Sequence, residues 1–406
     1  MPCPYGQKLT VGPGDGVAGN RTNDQGQRTK DKASRRAVVD AFLKKLLPKK
    51  SKGIGLELTP DRLNIVQLSQ NGPTYKLETF VSAEIPEGVI TEGLISDPPE
   101  MAQIIQATLA EHKLKPKGIA TGIPSKEGVI RIIPVPAELS DKDLRDMVNQ
   151  EAGLYLPFPR EEADVDYQKL GTFPDEDGIE KVQVLLVATR KEVTDTYIST
   201  FREAGLKIDV LEITSFALLR TIRELVLQVP PEEALVLADI EFDSTEIAIM
   251  VDGIPQFSRT IPIGTYQIQT AVNQSLNLPP SRDTAMLQDM VVPANPTEIT
   301  GSGKMGESQP EIQAMTKVLT ELGEELRRSI DFFVNQSEGL DASQLLLAGP
   351  GAVIGQIDEF FNQRLAMTTT IVDPVQSTSV QVDEEKITQA MRPSLGVVLG
   401  LGMREV

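Results

Sequence analysis

The chain has 406 residues, of which 40% are hydrophobic and 4% aromatic, and it contains no tryptophan. This length exceeds one ordinary domain and predicts two or three domains, each able to bury a core of its own. The formal net charge is −18. Such a balance argues against general binding to nucleic acid, because neutralising phosphates requires clustered Lys and Arg.

The sequence contains one cysteine, Cys3, and one histidine, His112. A single cysteine excludes an internal disulfide and a thiolate metal site, and it is compatible with a reducing compartment. We expect His112, on a predicted helix, to be a surface or structural residue, which removes most histidine-based catalysis. No apolar run approaches the ~18 residues of a transmembrane helix, and no signal peptide is visible at the N-terminus. The sequence therefore predicts a cytoplasmic protein.

The first 52 residues divide into two segments of different character. Residues 1–35 are rich in Gly, Asn, Gln, Asp and Thr without apolar periodicity, which predicts a disordered tail. Residues 36–52 form a basic amphipathic leader, with Val38, Val39, Phe42 and Leu46 on one helical face and lysines at 44, 45, 49, 50 and 52 around it. Two interpretations stay open: the leader tethers or packs on the body, or it binds an anionic membrane surface through residues 37–52.

From Gly53 the pattern becomes that of an α/β protein. Residues 53–125 predict three strands, a helix after Asp97 and a further strand, and residues 213–232 return the chain to the same domain. Between them, residues 126–212 predict an inserted α+β unit. In residues 233–392 the opening of three strands appears again, followed by an insertion at 278–309 that we expect to be mobile, a long helix at about 311–335 and further α/β elements. The terminal segment 393–406 is predicted to return to the first domain.

Two short motifs are candidates for nucleotide chemistry. The hairpin LADIEFDSTEIAIM places Asp239 at the end of a buried strand and Ser244 and Thr245 at the start of the next. There a carboxylate can orient a metal-bound water while hydroxyl and N–H groups cradle phosphate. The segment LLLAGPGAVIG places Gly349 and Gly351 between a strand and a helix, where the backbone can approach a flat ligand. Each motif taken alone is more simply explained as an ordinary hairpin or an ordinary strand-to-helix turn.

Taken together and in this order, the segments resemble the family of the type IV pilus assembly protein PilM, relatives of the division protein FtsA. The resemblance runs from about Lys52 to Arg404 and rests on GLELTPDRLNIVQL, EAGLYLPFP, VLLVATRKEV, ELRRSIDFF and LLLAGPGA. It implies an actin-like (ribonuclease H-like) duplicated two-domain fold with an inserted FtsA-like α+β subdomain. It also implies an adaptor at the inner face of the bacterial inner membrane, which binds the N-terminal cytoplasmic tail of PilN and reaches other pilus and motor proteins indirectly.

The resemblance also suggests site residues. A nucleotide site, degenerate in this chain, would be formed by Glu57, Thr59, Asp239, Glu241, Ser244, Thr245, Glu325, Arg328, Ser329, Gly349, Pro350 and Gly351, with Asp239 as the residue that would hold Mg²⁺ through water. The partner-binding block would be Glu151, Tyr155, Pro157, Phe158 and Pro159.

Departures from the family pattern concentrate in the phosphate hairpins. Glu57 replaces an aspartate, while Thr59 and Pro60 occupy the expected Gly-Ser positions, and a proline offers no N–H to phosphate. Glu241 stands at a family glycine, where a carboxylate ~4 Å from a phosphate costs about 1–4 kcal/mol per charge pair. Weak binding of ATP and Mg²⁺, or none, and little hydrolysis are therefore expected.

Two other functions remain as alternatives. An actin-like ATPase or small-molecule kinase would normally have the glycine-containing hairpins that are missing here. An FtsA-like membrane tether that forms filaments would normally have its membrane helix at the C-terminus, whereas the candidate segment here is N-terminal. The sequence leaves homo-oligomerisation open.

Overall fold

The structure is a computed structural model that describes residues 53–71, 74–175, 177–230, 233–294, 309–337 and 340–404. The predicted tail 1–35, the leader 36–52 and part of the insertion 278–309 lie outside these ranges. Fifteen strands are present in the described residues: β1 (Gly53–Leu58), β2 (Arg62–Asn71), β3 (Thr74–Glu84), β4 (Ile90–Thr91), β5 (Leu94–Ile95), β6 (Ile119–Ile123), β7 (Gly128–Pro136), β8 (Ala163–Pro174), β9 (Glu180–Arg190), β10 (Ile208–Ile213), β11 (Glu233–Ile240), β12 (Thr245–Val251), β13 (Ile254–Ile261), β14 (Asp341–Ala348) and β15 (Thr368–Ile371).

The helices alternate with these strands along the chain. They are α1 (Pro98–Glu111), α2 (Asp141–Tyr155), α3 (Lys191–Glu203), α4 (Thr214–Thr221), α5 (Arg223–Val226), α6 (Thr265–Ser275), α7 (Pro310–Gln336), α8 (Ile357–Leu365), α9 (Pro374–Ser377) and α10 (Gly396–Gly402), with short 3-10 turns between some of them. Their starts follow the local chemistry. Asp97 and Ser140, for example, accept hydrogen bonds from the backbone N–H groups of Glu100 and Asp143 and so cap α1 and α2.

Two five-stranded sheets have the same order and the same strand directions. The first runs β10-β6-β1-β2-β3 and the second β15-β14-β11-β12-β13. In each, the opening three strands are antiparallel, and the two that follow pair in parallel beside the first. Every residue of β1 is buried, as expected for a strand covered on both faces. The repeated opening in the sequence is therefore a duplication of the whole sheet.

Helices cover both sheets and complete the cores. The long helix α7 begins at Pro310, close to the predicted start at 311, and buries Met315, Leu319, Leu322 and Leu326 against the second half. This is the spacing of one helical face. The terminal helix α10 packs on β1 and on α4, so the end of the chain lies against the first sheet.

A separate three-stranded sheet, ordered β7-β9-β8, lies between β6 and β10 along the chain. Helix α2 covers one face of this inserted sheet, with Leu144, Val148 and Ala152 buried against it. Strand β10, at the end of the predicted range 126–212, pairs in parallel with β6 and belongs to the first sheet. Helix α3 packs on α1, so the inserted sheet is joined to the first half through both elements.

The described part of the segment 278–309, for which we expected mobility, is packed. Leu287 and Val292 are buried in the second core, and Val291 forms a bridge with Gly355. Apolar side chains at these two positions have a core to enter, which the polar composition of the segment as a whole did not indicate. In the ranges that the structure covers, every helix is too short or too polar to span a bilayer.

Candidate functional site

The turns that follow β1 and β11 meet at a cavity of about 70 Å³, which we call the cleft. The short turn Ser125–Glu127, after β6, forms a third wall through Ser125 and Lys126. Five of the predicted nucleotide residues line the cleft, namely Glu57, Thr59, Asp239, Glu241 and Ser244, together with Pro60, Asp243 and Glu246. The fold thus brings the two predicted hairpins together, one from each half.

The first hairpin turn uses its polar groups internally. The Thr59 N–H donates to the Arg62 carbonyl oxygen at 2.9 Å, and the Thr59 hydroxyl accepts from the Arg62 N–H at 3.1 Å. That hydroxyl also lies 2.9 Å from a carboxylate oxygen of Asp61. Pro60 has no N–H. The turn therefore presents few donors toward the cleft.

The second hairpin turn is closed in the same way. The Glu241 N–H donates to the Ser244 carbonyl oxygen at 2.9 Å, and the Ser244 hydroxyl donates to Asp243 at 2.9 Å. Thr245 is buried, and its hydroxyl donates to the Ile263 carbonyl oxygen at 2.6 Å. Thr245 therefore stabilises the turn through its bond to Ile263 and does not line the cleft.

Carboxyl groups dominate the electrostatics of the cleft. Burial, as the largest cause, raises the pKa of Glu57 to about 8, and the charge of Asp239 adds to the effect. Burial likewise raises the pKa values of Asp239 and Glu246 to about 7 and that of Glu241 well above its ordinary value. Desolvation disfavours the charged form of an acid, and neighbouring acids disfavour it further. The cleft therefore holds protons near neutral pH.

The available hydrogen bonds and cations compensate this cluster only in part. Glu241 is hydrogen-bonded to Asp239, which fits a proton shared between them. The Asn64 amide donates to Glu57 at 3.2 Å. Lys126 lies 3.4 Å from Asp243 and crosses from the first half to the second. These contacts close the cleft with protein groups.

The glycine segment after β14 lies against the end of β11. Gly349 has a left-handed φ of +82°, and a Cβ there would lie 2.6 Å from a carboxylate oxygen of Asp239. A Cβ on Gly351 would lie 2.2 Å from the Ile240 side chain. The glycines are thus needed for close packing on Ile240, and neither they nor Pro350 lines the cleft.

The three predicted residues of α7 lie elsewhere. Glu325 pairs with Arg259 of β13 at 3.0 Å and with Arg328 at 3.0 Å, and Arg259 donates to the Ser329 hydroxyl at 3.3 Å. This network joins α7 to the second sheet. None of Glu325, Arg328 and Ser329 lines the cleft.

A larger cavity, of about 370 Å³, lies where the inserted sheet meets the first sheet; we call it the β8 groove. Its walls combine apolar and polar side chains from β8, β9, β10 and α4, together with Arg404 after α10. They include Val165, Val187, Leu211, Phe216, Asp164, Asp166 and Gln168. Residues 165–168 of β8 also line an open depression on the side of α2. In the described ranges β8 pairs with no strand other than β9. Its other edge can accept a strand if the Asp166 carboxylate releases the Tyr167 N–H and the Gln168 amide releases the Lys169 carbonyl oxygen.

A buried ion pair supports the floor of the β8 groove. Arg220 of α4 is fully buried and binds both carboxylate oxygens of Glu212 at 2.8 Å, while it also donates to the Gly400 carbonyl oxygen at 2.6 Å. Arg404 donates to the same carboxylate at 2.9 Å. Two guanidinium groups thus compensate Glu212.

Comparison with known proteins identifies the family. The family model described as "Type IV pilus assembly protein PilM" matches residues 55–406. This chain belongs to the PilM family. A chain of the solved PilM-PilN type IV pilus biogenesis complex has 26% sequence identity and a TM-score of 0.72, and the match covers 87% of this chain and 98% of that one.

More distant structures share less. The ethanolamine utilization protein EutJ from Carboxydothermus hydrogenoformans has 13% identity and a TM-score of 0.49, with 91% of this chain and 99% of that one covered. MreB5 of Spiroplasma citri bound to ADP has 11% identity and a TM-score of 0.44, with 85% and 98% covered. These values are too low to carry an argument about function. The duplicated sheets and the PilM family match agree on an actin-like fold, which confirms the fold expected from the sequence.

The cleft of this PilM family member leaves little room for the Mg-ATP predicted from the sequence. Ligand pockets usually measure ~300–1,000 Å³, whereas the cleft measures about 70 Å³. A triphosphate would meet Glu57, Asp239 and Glu241 where it needs donors, and the N–H groups of Thr59, Arg62 and Glu241 already donate within the turns. Within the described ranges, no group of three or more His, Cys, Asp and Glu side chains has metal-binding geometry. The role predicted for Asp239, holding Mg²⁺ through water, stays a prediction.

The predicted partner-binding block of the PilM family does not line the β8 groove. Glu151 and Tyr155 lie in the last turn of α2, and Phe158 packs under the Arg190 guanidinium at 4.4 Å. Arg160 fixes this loop by donating to the carbonyl oxygens of Asn149 and Ala163. Pro157 and Pro159 are exposed. The block shapes the end of α2, next to the inserted sheet.

The sequence did not single out several residues that the structure brings to the two sites. Asp243 and Glu246 belong to the hairpin already predicted, and the density of acids there was a usable signal. Lys126 comes from a turn with no motif of its own. The β8 groove depends on residues 164–168, on Glu212 and on Arg220, which are far apart in sequence and meet only in the fold.

Proposed function

We propose that this chain is an adaptor of type IV pilus assembly that binds the N-terminal cytoplasmic tail of PilN in the β8 groove. The observation that carries the proposal is this groove, a cavity with apolar and polar walls beside the outer edge of β8, in a PilM family chain similar to one solved in complex with PilN. An extended tail can add its backbone hydrogen bonds to a free strand edge and place alternate side chains in the cavity.

In this proposal the adaptor role does not depend on nucleotide turnover. The closed cleft and its carboxyl groups favour at most weak ATP binding. PilN binding would bring the chain to the inner face of the inner membrane, where it would reach other pilus proteins through PilN. An ATPase role is the less favoured candidate, since a nucleotide would have to displace Glu241 and Lys126 from the cleft.

The proposal can be tested by calorimetric titration of the full chain with a synthetic PilN tail peptide. Val187→Trp would place a bulky side chain in the β8 groove, and we expect it to weaken tail binding by about tenfold or more. Val251→Trp is the matched control, because Val251 is also a partly buried strand valine but lies outside the groove. Thermal unfolding of both variants checks that each is folded.

Two results would contradict the proposal. One is that the wild-type chain does not bind the tail, and the other is that Val187→Trp and Val251→Trp bind it equally well. Tail binding in the absence of nucleotide, lost only in Val187→Trp, supports it.

A further inference from the structure

The β8 groove matches a segment of the same chain in charge and in hydrophobicity. Its walls are apolar at Val165, Val187, Leu211 and Phe216, and its rim carries the exposed carboxylates of Asp164 and Asp166. Glu212, the third acid, is already paired with Arg220 and Arg404. A ligand that fits these walls would have an apolar face beside positive charges.

The leader 36–52 has this character in its sequence. Val38, Val39, Phe42 and Leu46 recur at the spacing of one helical face, and lysines occur at 44, 45, 49, 50 and 52. The chain as a whole has a net charge of −18. The basic leader is therefore attracted electrostatically to acidic surface of its own molecule.

The chain enters the first sheet next to the groove. A Cβ on Gly53 would lie 3.2 Å from the Arg404 carbonyl oxygen, which places Gly53 against Arg404. Arg404 itself lines the β8 groove and donates to Glu212. Residues 47–52 lie between Leu46, the last residue of the apolar face, and Gly53, and the seven Cα steps from Leu46 to Gly53 span at most ~25 Å when extended. The apolar face is therefore tethered within a short distance of the cavity.

We propose that the leader 36–52 binds in the β8 groove of its own chain and competes there with the incoming tail. The proposal rests on the proposed function for the identity of the competing ligand, but not for the contact itself. A tethered segment has a high effective concentration, ~mM for a short linker, so even a weak contact lowers the fraction of chains with an empty groove. Apparent tail affinity falls in proportion to that fraction.

The first experiment measures tail binding to full-length variants by calorimetry. Phe42→Asp with Leu46→Asp removes the apolar face of the leader, and we expect it to bind the PilN tail peptide about tenfold more tightly than wild type. Val11→Asp with Val17→Asp is the control, because it also replaces two apolar residues by aspartate, but in the tail 1–35. The control should bind the peptide as wild type does.

The second experiment detects the contact without any tail peptide. In a Cys3→Ser chain, cysteines replace Lys45 and Gln168, and a short bismaleimide cross-linker should join them within one molecule. The control chain has cysteines at positions 45 and 321 and keeps Gln168. Glu321 is exposed on α7, and this pair should not cross-link. Adding Phe42→Asp and Leu46→Asp should abolish the cross-link between positions 45 and 168.

The outcomes separate this inference from the proposed function. If the tail binds but the cross-link is absent and the leader variant binds like wild type, the inference is wrong and the adaptor role stands. If the cross-link forms but no tail binds, the leader contact stands and the PilN proposal fails. A third outcome is that the full chain sediments with anionic phosphatidylglycerol vesicles, that Phe42→Asp with Leu46→Asp abolishes this sedimentation, and that no cross-link forms. The leader is then a membrane segment and the inference is overturned.

Discussion

The cleft and the β8 groove differ in the way that the protein compensates buried charge. In the cleft, Glu57, Asp239 and Glu241 come from two hairpins and rely on protons and one amide, while Lys126 pairs with the neighbouring Asp243. In the groove wall, Glu212 is held by two arginines. The cleft measures about 70 Å³ and the groove about 370 Å³. The comparison teaches that an actin-like fold can keep its hairpins while the space for a ligand lies at the inserted sheet.

The largest expected effect concerns the groove wall. Arg220→Ala should lower the free energy of unfolding by about 3–5 kcal/mol, because it leaves Glu212 buried with one partner fewer. Urea unfolding followed by circular dichroism measures the change. Arg202→Ala, at an exposed arginine of α3, should have little effect. Equal stability of the two variants would show that the ion pair does not support the groove.

A smaller effect, dependent on pH, is expected in the cleft. The pKa of Glu57 is raised from 4.5 to about 8, so over this window the folded chain holds a proton that the unfolded chain has lost. The free energy of unfolding contributed by Glu57 is therefore fully present below pH ~4.5 and falls as the pH rises through about 8. Glu57→Gln should remove the part of the decline that Glu57 contributes, which is up to about 2.7 kcal/mol over the two units from pH 6 to pH 8.

Denaturant unfolding between about pH 6 and pH 9 tests this expectation. The glutamine oxygen can still accept from Asn64, so the local hydrogen bond is kept. Glu138→Gln, at an exposed position, should leave the pH profile as in wild type. A Glu57→Gln profile parallel to that of wild type would mean that Glu57 is ionised throughout.

The cation that crosses the cleft should contribute less. Lys126→Ala removes the 3.4 Å pair with Asp243, both of whose side chains are partly buried, and should cost about 0.5–1 kcal/mol in the free energy of unfolding. Lys76→Ala, which removes an exposed pair with Glu78, is the control and should be close to neutral. A loss well above 1 kcal/mol would show that Lys126 carries more of the closure of the cleft.

The smallest effect is expected from nucleotide. At 1 mM, Mg-ATP should shift the melting temperature by less than about 1 °C relative to the same ionic strength of MgCl₂ and sodium sulfate, since a dissociation constant above 1 mM adds less than ~0.4 kcal/mol. A saturable shift of several degrees, abolished by the double variant Glu57→Ala, Asp239→Ala, would contradict the closed cleft. ATP hydrolysis by the wild-type chain well above that of the same double variant would support the ATPase hypothesis.

Much of the fold followed from patterns that are local in sequence. The buried runs of β1 and β11, the hairpins after them and the face of α7 each depend on residues within one element, and the repeated order of strands predicted the two sheets. Proximity of Glu57 to Asp239 also followed, because corresponding hairpins of two related halves meet in such a fold. The packing of Leu287 and Val292 did not follow, because the polar residues around them outweighed two apolar side chains.

By itself the sequence determined the PilM family, the duplicated α/β architecture and the loss of glycine from the phosphate hairpins, because these depend on residue type at positions close along the chain. Only the tertiary structure decided that Lys126 closes the cleft, that Gly351 packs against Ile240 instead of leaving room for a ligand, and that β8 borders the larger cavity. Cavity volume, burial and the pKa values that burial raises arise from residues distant in sequence, and no local pattern encodes them.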